Sequence, residues 1–445
     1  MKTQKCMQWV ERDKKVVAPT QHLSYFPLVV ESAKDAIIYD EDGNEYIDFL
    51  SSASSLNLGS SNEKVTEAIQ QQLKKCTQYT VAYTYSTTMI EYAEKLTSVY
   101  PGGVKAKILF GNCGSDANDA AIKFARAYTG RTKIITFLNG YYGNTYGSSS
   151  LTTCTPRMHA KMGPFLPEIY HFPFFNVNVD DKECERECLK EMERAFATYL
   201  PAEEVAAVII EPLQGDGGLM PAHPIFIKKL YEICKKYNIL FISEEVQQAF
   251  YRTGKFFSIE HYGIIPDGIV MGKFIGASLT LGAFIAKEEI MDCLKAPAHL
   301  FTLGGNAIAC AAGNAAFDYM QSEEFQNILK RNCNILQQGF TMLKQKHSDI
   351  ISTMNGLGLS YGIGIVKEQN GKKVADPNGT FKILYRAYEK GLLMISVADN
   401  ILRIQPPLNI DENLFKKAFV IIDEAMQEYK QGDIPDDVLN FKQGW

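Results

Sequence analysis

The stretch from Asn238 to Ala286 constrains this chain more than any other, because it sets short apolar runs against charged stops. The run Ile239-Leu240-Phe241-Ile242 halts at Glu244-Glu245, and Gly268-Ile269-Val270-Met271 ends one residue short of Lys273. Such runs, bounded by turns, read as strands of an α/β sheet. Where strands run parallel, groups at the carboxyl ends of neighbours converge on one crevice, which is where ligands bind. A carboxylate and a lysine would face each other there.

The rest of the chain supplies elements for the same architecture. Asp35 to Ser51 holds two alternating runs around Asp42-Gly43, a hairpin signal. Asn62 to Tyr100 carries helical spacing, with Val65, Ile69, Leu73 and later Ile90, Ala93, Leu96 on the apolar stripe. Lys105 to Phe110 reads as a strand, and the following helix has Ser115 or Asp116 to cap it and Gly130 to end it. A glycine-serine turn opening a helix presents free backbone N–H groups at the positive end of its dipole, so Gly114 and Ser115 form a possible phosphate site; a plain capped helix is the other reading. Lys133 to Leu138 and Val205 to Ile210 read as strands, the second running into Glu211-Pro212-Leu213-Gln214-Gly215-Asp216-Gly217-Gly218. Near residue 320 the pattern changes to a long helix, Glu323 to Gln345, then strands, a helix, strands again and an amphipathic helix from Asp411 to Lys430. We expect a large α/β domain over 61–320, a small α+β domain over 321–445, and an amino-terminal segment, 1–60, packed with the small one.

Composition narrows the function classes. A formal charge of −5 gives no electrostatic reason to expect nucleic acid, and no stretch approaches the roughly 20 apolar residues of a membrane-spanning helix. The start, MKTQKCMQWVERDKK, is charged and polar without the apolar core of a secretory signal, so the expected compartment is the cytoplasm. Ten cysteines are scattered with no Cys-x-x-Cys pair; Cys184 and Cys188 share a helical face but have no histidine nearby, and buried thiols are expected there rather than a metal.

Taken in order, these motifs resemble the class III aminotransferases, pyridoxal-phosphate enzymes of the aspartate aminotransferase fold type. Glu244-Glu245-Val246-Gln247, Arg252-Thr253-Gly254-Lys255, Pro266-Asp267 and Gly272-Lys273 match the family's Asp-Glu-Val-Gln, Arg-Thr-Gly-Lys, Pro-Asp and Gly-Lys, departing at the first position. The resemblance implies fold type I, a large domain with a mostly parallel sheet and a smaller α+β domain. It implies pyridoxal 5'-phosphate as cofactor, joined to Lys273 as a Schiff base, with Gly114 and Ser115 in the phosphate loop and Tyr141 stacked on the ring. Glu244 would pair with the ring nitrogen, and Gln247 would be a further cofactor contact. Thr302 matches the threonine that reaches the phosphate of the neighbouring subunit, which implies a homodimer or a dimer of dimers. Arg403 matches the arginine that holds the substrate α-carboxylate, for which its fork is suited. Read singly, Tyr141 is equally a core aromatic, Thr302 a residue at the start of a helix and Arg403 a surface arginine on a strand. Two more departures are Tyr142, where the family has histidine, and Gly276 to Gly282, which lacks its Gly-x-Pro.

One branch of the family fits better than the rest. Gly215-Asp216-Gly217 stands where aminotransferases of the family have Gly-Glu-Gly, and it resembles the amino-acid racemases exemplified by isoleucine 2-epimerase, as do SDANDAAIKFARAYTGR, PAHLFT and NILRIQPPL. The resemblance runs from about Tyr25 to Gly444-Trp445. It implies inversion at the α-carbon of a nonpolar amino acid such as isoleucine, with Lys273 serving one face and Asp216 the other, directly or through water. As a residue by itself, Asp216 also suits the capping of a glycine turn. An aminotransferase using a 2-oxo acid acceptor is the alternative, and a catalytically silent scaffold of the same fold is a second.

Overall fold

The computed structural model describes residues 2–442, so Gly444 and Trp445, where the resemblance ends, lie outside the described residues. The chain forms two compact units: one holds the residues up to Asn62 together with those from Glu323 onward, and the other is Glu63–Ser322.

The second unit is built on a seven-stranded sheet in the order Ala106–Gly111, Gly282–Lys287, Gly268–Met271, Leu240–Glu244, Val205–Ile210, Lys133–Phe137, Ile169–Phe172. Only Gly282–Lys287 opposes its neighbours; the pairings from Gly268–Met271 through Ile169–Phe172 are all parallel. Val205–Ile210 and Leu240–Glu244 are buried along their whole length, as central strands covered on both faces must be. Register sets Glu244 opposite Val270 and Ser243 opposite Ile210, so Glu211, Glu244 and Lys273 emerge at one edge of the sheet.

The helix Gly114–Thr129 starts at that same edge. Its capping residue is Cys113 rather than Ser115 or Asp116: Asp116, in the first turn, reaches back to accept the backbone N–H groups of Asn112 at 2.7 Å and Cys113 at 3.2 Å. Gly130 ends the helix in the left-handed region, φ +68°. The helical stretch read over 62–100 is two helices, Glu63–Lys75 and Thr87–Ser98, and Leu73 and Ile90 of its apolar stripe are exposed. Among the described residues no helix is long and apolar enough to cross a membrane.

In the other unit the hairpin around Asp42-Gly43 pairs Ile37–Asp40 with Glu45–Asp48, and Asp40 accepts the N–H groups of Asp42 and Asn44 while Gly43 takes φ +81°. Val30–Lys34 extends this sheet on one side and Leu392–Leu393 on the other, the latter parallel to Glu45–Asp48. That pairing is what joins the amino-terminal segment to the carboxy-terminal elements. A second sheet runs Ile351–Leu357, Ser360–Gln369, Ile401–Ile404, Ile395–Val397, and the helix Glu412–Gln431 is capped by Asp411, which accepts from Asn413 and Leu414.

Candidate active site

Lys273 follows the strand Gly268–Met271 and sits at φ +48°, a left-handed conformation that disfavours a residue with a Cβ by about 1–2 kcal/mol and persists only where the surroundings impose it. They do so here. Tyr92, fully buried, donates its hydroxyl to the carbonyl of Ile275 at 2.7 Å, and Ile275 and Ala277 donate back to Gly272 and Phe274 within the turn. Behind Lys273, Gly272 abuts the helix Gly114–Thr129 so closely that a Cβ would lie 2.9 Å from both Cα and N of Gly114. The lysine therefore stands next to the positive end of that helix.

Tyr141 is tied to the same helix start. Ser115 Oγ accepts the N–H of Asn144 at 3.1 Å, and Asn144 Nδ2 donates to the Tyr141 hydroxyl at 2.9 Å. Gly143 makes room for this, since a Cβ there would fall 2.2 Å from Ser115 Oγ. Tyr142 turns the other way and packs in the hydrophobic core, its N–H on Thr152 Oγ1 and its hydroxyl 3.4 Å from the Ile209 carbonyl.

The two glutamates at the end of Leu240–Glu244 have separate tasks. Glu245 is structural: its buried carboxylate accepts from Ser258 N, Ile259 N and Ser243 Oγ at 2.9, 2.8 and 3.0 Å. Glu244 is also buried, and its side-chain partner is Asn118 Nδ2 at 3.4 Å. Burial pushes the Glu244 carboxyl up to about 8, against the pull of the Lys273 ammonium and the Asn118 contact. Beyond it, Glu211 accepts Tyr141 N on Oε1 at 2.9 Å and Gly215 N on Oε2 at 3.0 Å. Burial, then the charge of Glu244, raises Glu211 well above the ordinary carboxylate range. Asp216 follows Gly215 and is buried; its charge acts on Tyr141, Glu211 and Cys154. A Cβ on Gly215 would lie 2.3 Å from the Gln247 amide oxygen, which brings Gln247 against this loop.

Gly114, Ser115, Tyr141, Asp216, Glu244, Gln247 and Lys273 thus meet at one end of one sheet. Thr302 lies exposed on the loop before Gly304-Gly305, and the helix it precedes, Ala307–Met320, is capped by Asn306. Arg403 belongs to the other unit, where it is buried in Ile401–Ile404 and donates to the side chain of Gln405, which in turn donates to Ser360 Oγ at 2.7 Å. Asn118, Glu211 and Cys154 also stand at this site, and no motif in the sequence assigns them a role. Asn118 lies one turn beyond Gly114 and donates to the carbonyls of Gly114 and Tyr142 as well as to Glu244. Its spacing from the Gly-Ser turn was the available signal. Cys154 is a thiol pushed up to about 12 by burial and by Asp216 and Glu211. Cys184 and Cys188 are buried and free, and among the described residues no group of three or more His, Cys, Asp or Glu is arranged to hold a metal ion.

The residues fit a phosphorylated, aldehyde-bearing pyridine. An amine stands on a constrained turn, a glycine opens a helix beside it, and a buried carboxylate that takes up a proton readily lies at the neighbouring strand end, where a protonated ring nitrogen would compensate it. This combination defines a pyridoxal-phosphate enzyme of fold type I. Residues 18–426 match the model of the class III aminotransferases, and the chain belongs to that family. It is 37% identical over the full length of both chains to isoleucine 2-epimerase of Lentilactobacillus buchneri. It is 34% identical to leucine/methionine racemase of Thermococcus litoralis, covering 98% of this chain and 99% of that one. Among solved structures it is similar to the ornithine aminotransferase of Toxoplasma gondii, whose active site is partially occupied by pyridoxal phosphate, with a TM-score of 0.82, 25% identity and 95% of each chain covered. Pyridoxal 5'-phosphate is the cofactor.

Proposed function

We propose that this enzyme inverts the α-carbon of nonpolar amino acids, as a racemase or 2-epimerase, with isoleucine as the type substrate. The observation that carries the reading is the Gly215-Asp216 loop, which sets a buried carboxylate beside Tyr141 in the unit that holds Lys273. Similarity to an isoleucine 2-epimerase and a leucine/methionine racemase over essentially the whole chain supports both the reaction and the apolar substrate class.

Pyridoxal phosphate, when bound, supplies the electron sink that makes an amino acid α-proton acidic. The chain's own residues supply the rest. Gly114 and Ser115 would hold the phosphate, Tyr141 would meet the ring, Gln247 would add a polar contact and Glu244 would serve the ring nitrogen. Lys273 would take the α-proton from one face with its neutral amine and Asp216, in its acid form, would give one to the other, directly or through water, the two exchanging roles in the reverse direction. Arg403 binds the α-carboxylate with its fork, and Thr302 serves the phosphate of a second subunit in a homodimer.

Incubation with pyridoxal phosphate and L-isoleucine in heavy water, without any oxo acid, tests this reading. D-allo-isoleucine carrying deuterium at the α-carbon is the expected product, resolved by chiral chromatography and mass. Amino transfer to 2-oxoglutarate without inversion would instead establish the aminotransferase reading, which likeness to ornithine aminotransferase favours. Asp216→Asn is expected to slow inversion by about 10²–10⁴-fold while borohydride still fixes the cofactor to Lys273. Inversion at the unaltered rate would remove Asp216 from the mechanism.

A further inference from the structure

We propose that Glu211 is a positioning residue that fixes Tyr141 and Asp216 relative to each other, an inference that rests on the role given to Asp216 above. Glu211 directly follows the central strand Val205–Ile210 and is 4% exposed. Its two carboxylate oxygens are divided between two loops far apart in sequence: Oε1 takes the N–H of Tyr141 at 2.9 Å and Oε2 the N–H of Gly215 at 3.0 Å. One loop carries the ring-covering aromatic, the other the second-face proton carrier. A buried carboxyl that gives one oxygen to each of two backbone donors satisfies both, and with water kept away the loss of either acceptor leaves an N–H unpaired.

The loops touch at two further points, so the carboxylate closes a contact that already runs along them. Gln214 Nε2 donates to the Leu138 carbonyl at 2.8 Å, and a Cβ on Gly217 would sit 2.9 Å from the Asn139 carbonyl oxygen. Neither contact involves Tyr141 or Asp216 directly. Glu211 accepts from Tyr141 itself and from Gly215, the residue immediately before Asp216. Remove its acceptors and both loops stay packed, but ring cover and proton carrier lose their common reference.

Glu211→Gln separates the possibilities because it keeps shape and one acceptor oxygen while turning the other position into a donor that meets an N–H. Deuterium uptake of the cofactor-loaded and cofactor-free protein, followed by mass spectrometry, is expected to quicken several-fold in one of the peptides covering 139–145 and 213–218. The helix Pro224–Tyr237 should be unchanged. In the loaded enzyme kcat for inversion should fall on the order of 10–100-fold, with KM changed less than about twofold, as a small misplacement of reacting groups produces. Glu211→Ala should quicken both peptides. A Glu211→Gln protein with wild-type uptake in both loops overturns the clamp, and so does one with quickened uptake and undiminished kcat. If the wild-type enzyme exchanges no α-proton with any amino acid, the proposed function has failed, while the uptake of Glu211→Gln still decides whether the carboxylate joins the loops.

Discussion

Gly313→Ala puts a single methyl between the helix Ala307–Met320 and the turn that carries Lys273. The added Cβ would lie 2.5 Å from the Ile275 carbonyl oxygen and 2.5 Å from Cε1 and Cζ of Tyr92. Neither neighbour can retreat easily. The carbonyl is held by the Tyr92 hydroxyl at 2.7 Å, and the Tyr92 ring stacks on Phe110 at 6.0 Å between centroids and 17° between planes. Overpacking of this kind costs about 1–3 kcal/mol, offset by about 1 kcal/mol from the better helix propensity of alanine. The net loss, up to about 2 kcal/mol, should lower Tm by a few degrees at roughly 2–4 °C per kcal/mol for a unit of this size. Relief requires Ile275 to move by at least about half an ångström, and Lys273 lies two residues before it, so α-proton exchange should slow on the order of 10-fold or more. Thermal unfolding of the cofactor-free protein and the rate of deuterium entry at the substrate α-carbon measure the two effects. A variant that melts at or above the wild-type temperature and exchanges at the wild-type rate would refute the idea that this helix sets the lysine turn.

Two further outcomes test other parts of the molecule. Arg403→Lys keeps the charge but not the planar fork, and should raise KM for the amino acid on the order of 10–100-fold with a smaller effect on kcat; an unaltered KM would take the substrate carboxylate away from this residue. At Asp423, burial pushes the carboxyl up, but Lys346 at 2.5 Å and His347 at 2.7 Å outweigh it and hold it below its usual range. The native group therefore binds a proton less readily than the unfolded one, so its stabilisation is full above the ordinary pKa of about 4 and is lost as pH falls through the lower native value. Asp423→Asn should lower the urea midpoint near neutrality, and its difference from wild type should shrink toward about pH 3; a constant difference would contradict this.

What could be read from the sequence divides along a physical line. Lys273 and Glu244 were readable because each ends an apolar run, and in a parallel sheet the run and its end together fix the location. The hairpin at Asp42-Gly43 was readable because its turn is local. Glu211 was not, because it acts through backbone N–H groups of Tyr141 and Gly215, and nothing in residue type announces a bond to the backbone 70 residues away. The cap was misassigned for a related reason: Asp116 can serve as a capping residue or reach back from inside the first turn, and only geometry separates these. Leu73 and Ile90 show that helical spacing yields a stripe without saying what covers it. The parallel pairing of Leu392–Leu393 with Glu45–Asp48 is a contact between distant segments, which periodicity leaves open.

The departures at 142 and 244 are related through one amide. Asn118 Nδ2 reaches the Gly114 carbonyl at 3.1 Å, the Tyr142 carbonyl at 2.9 Å and Glu244 Oε1 at 3.4 Å, so helix start, aromatic loop and acidic strand end share a donor. Both backbone partners pin the amide where it is. An aspartate at 244 would hold its carboxylate about 1.5 Å nearer the strand, one C–C bond shorter, and Asn118 could follow only by leaving them. Glutamate is therefore the length that meets this donor, and it carries the charge farther from the strand end. Tyr142 turns its ring into core among Ala117, Ala121 and Ile209, gives its carbonyl to Asn118 and sets its hydroxyl against the backbone of Ile209 and Glu211. Neither replacement removes a group that the lysine, the helix start or the Asp216 loop depends on, so neither departure supports the silent-scaffold reading.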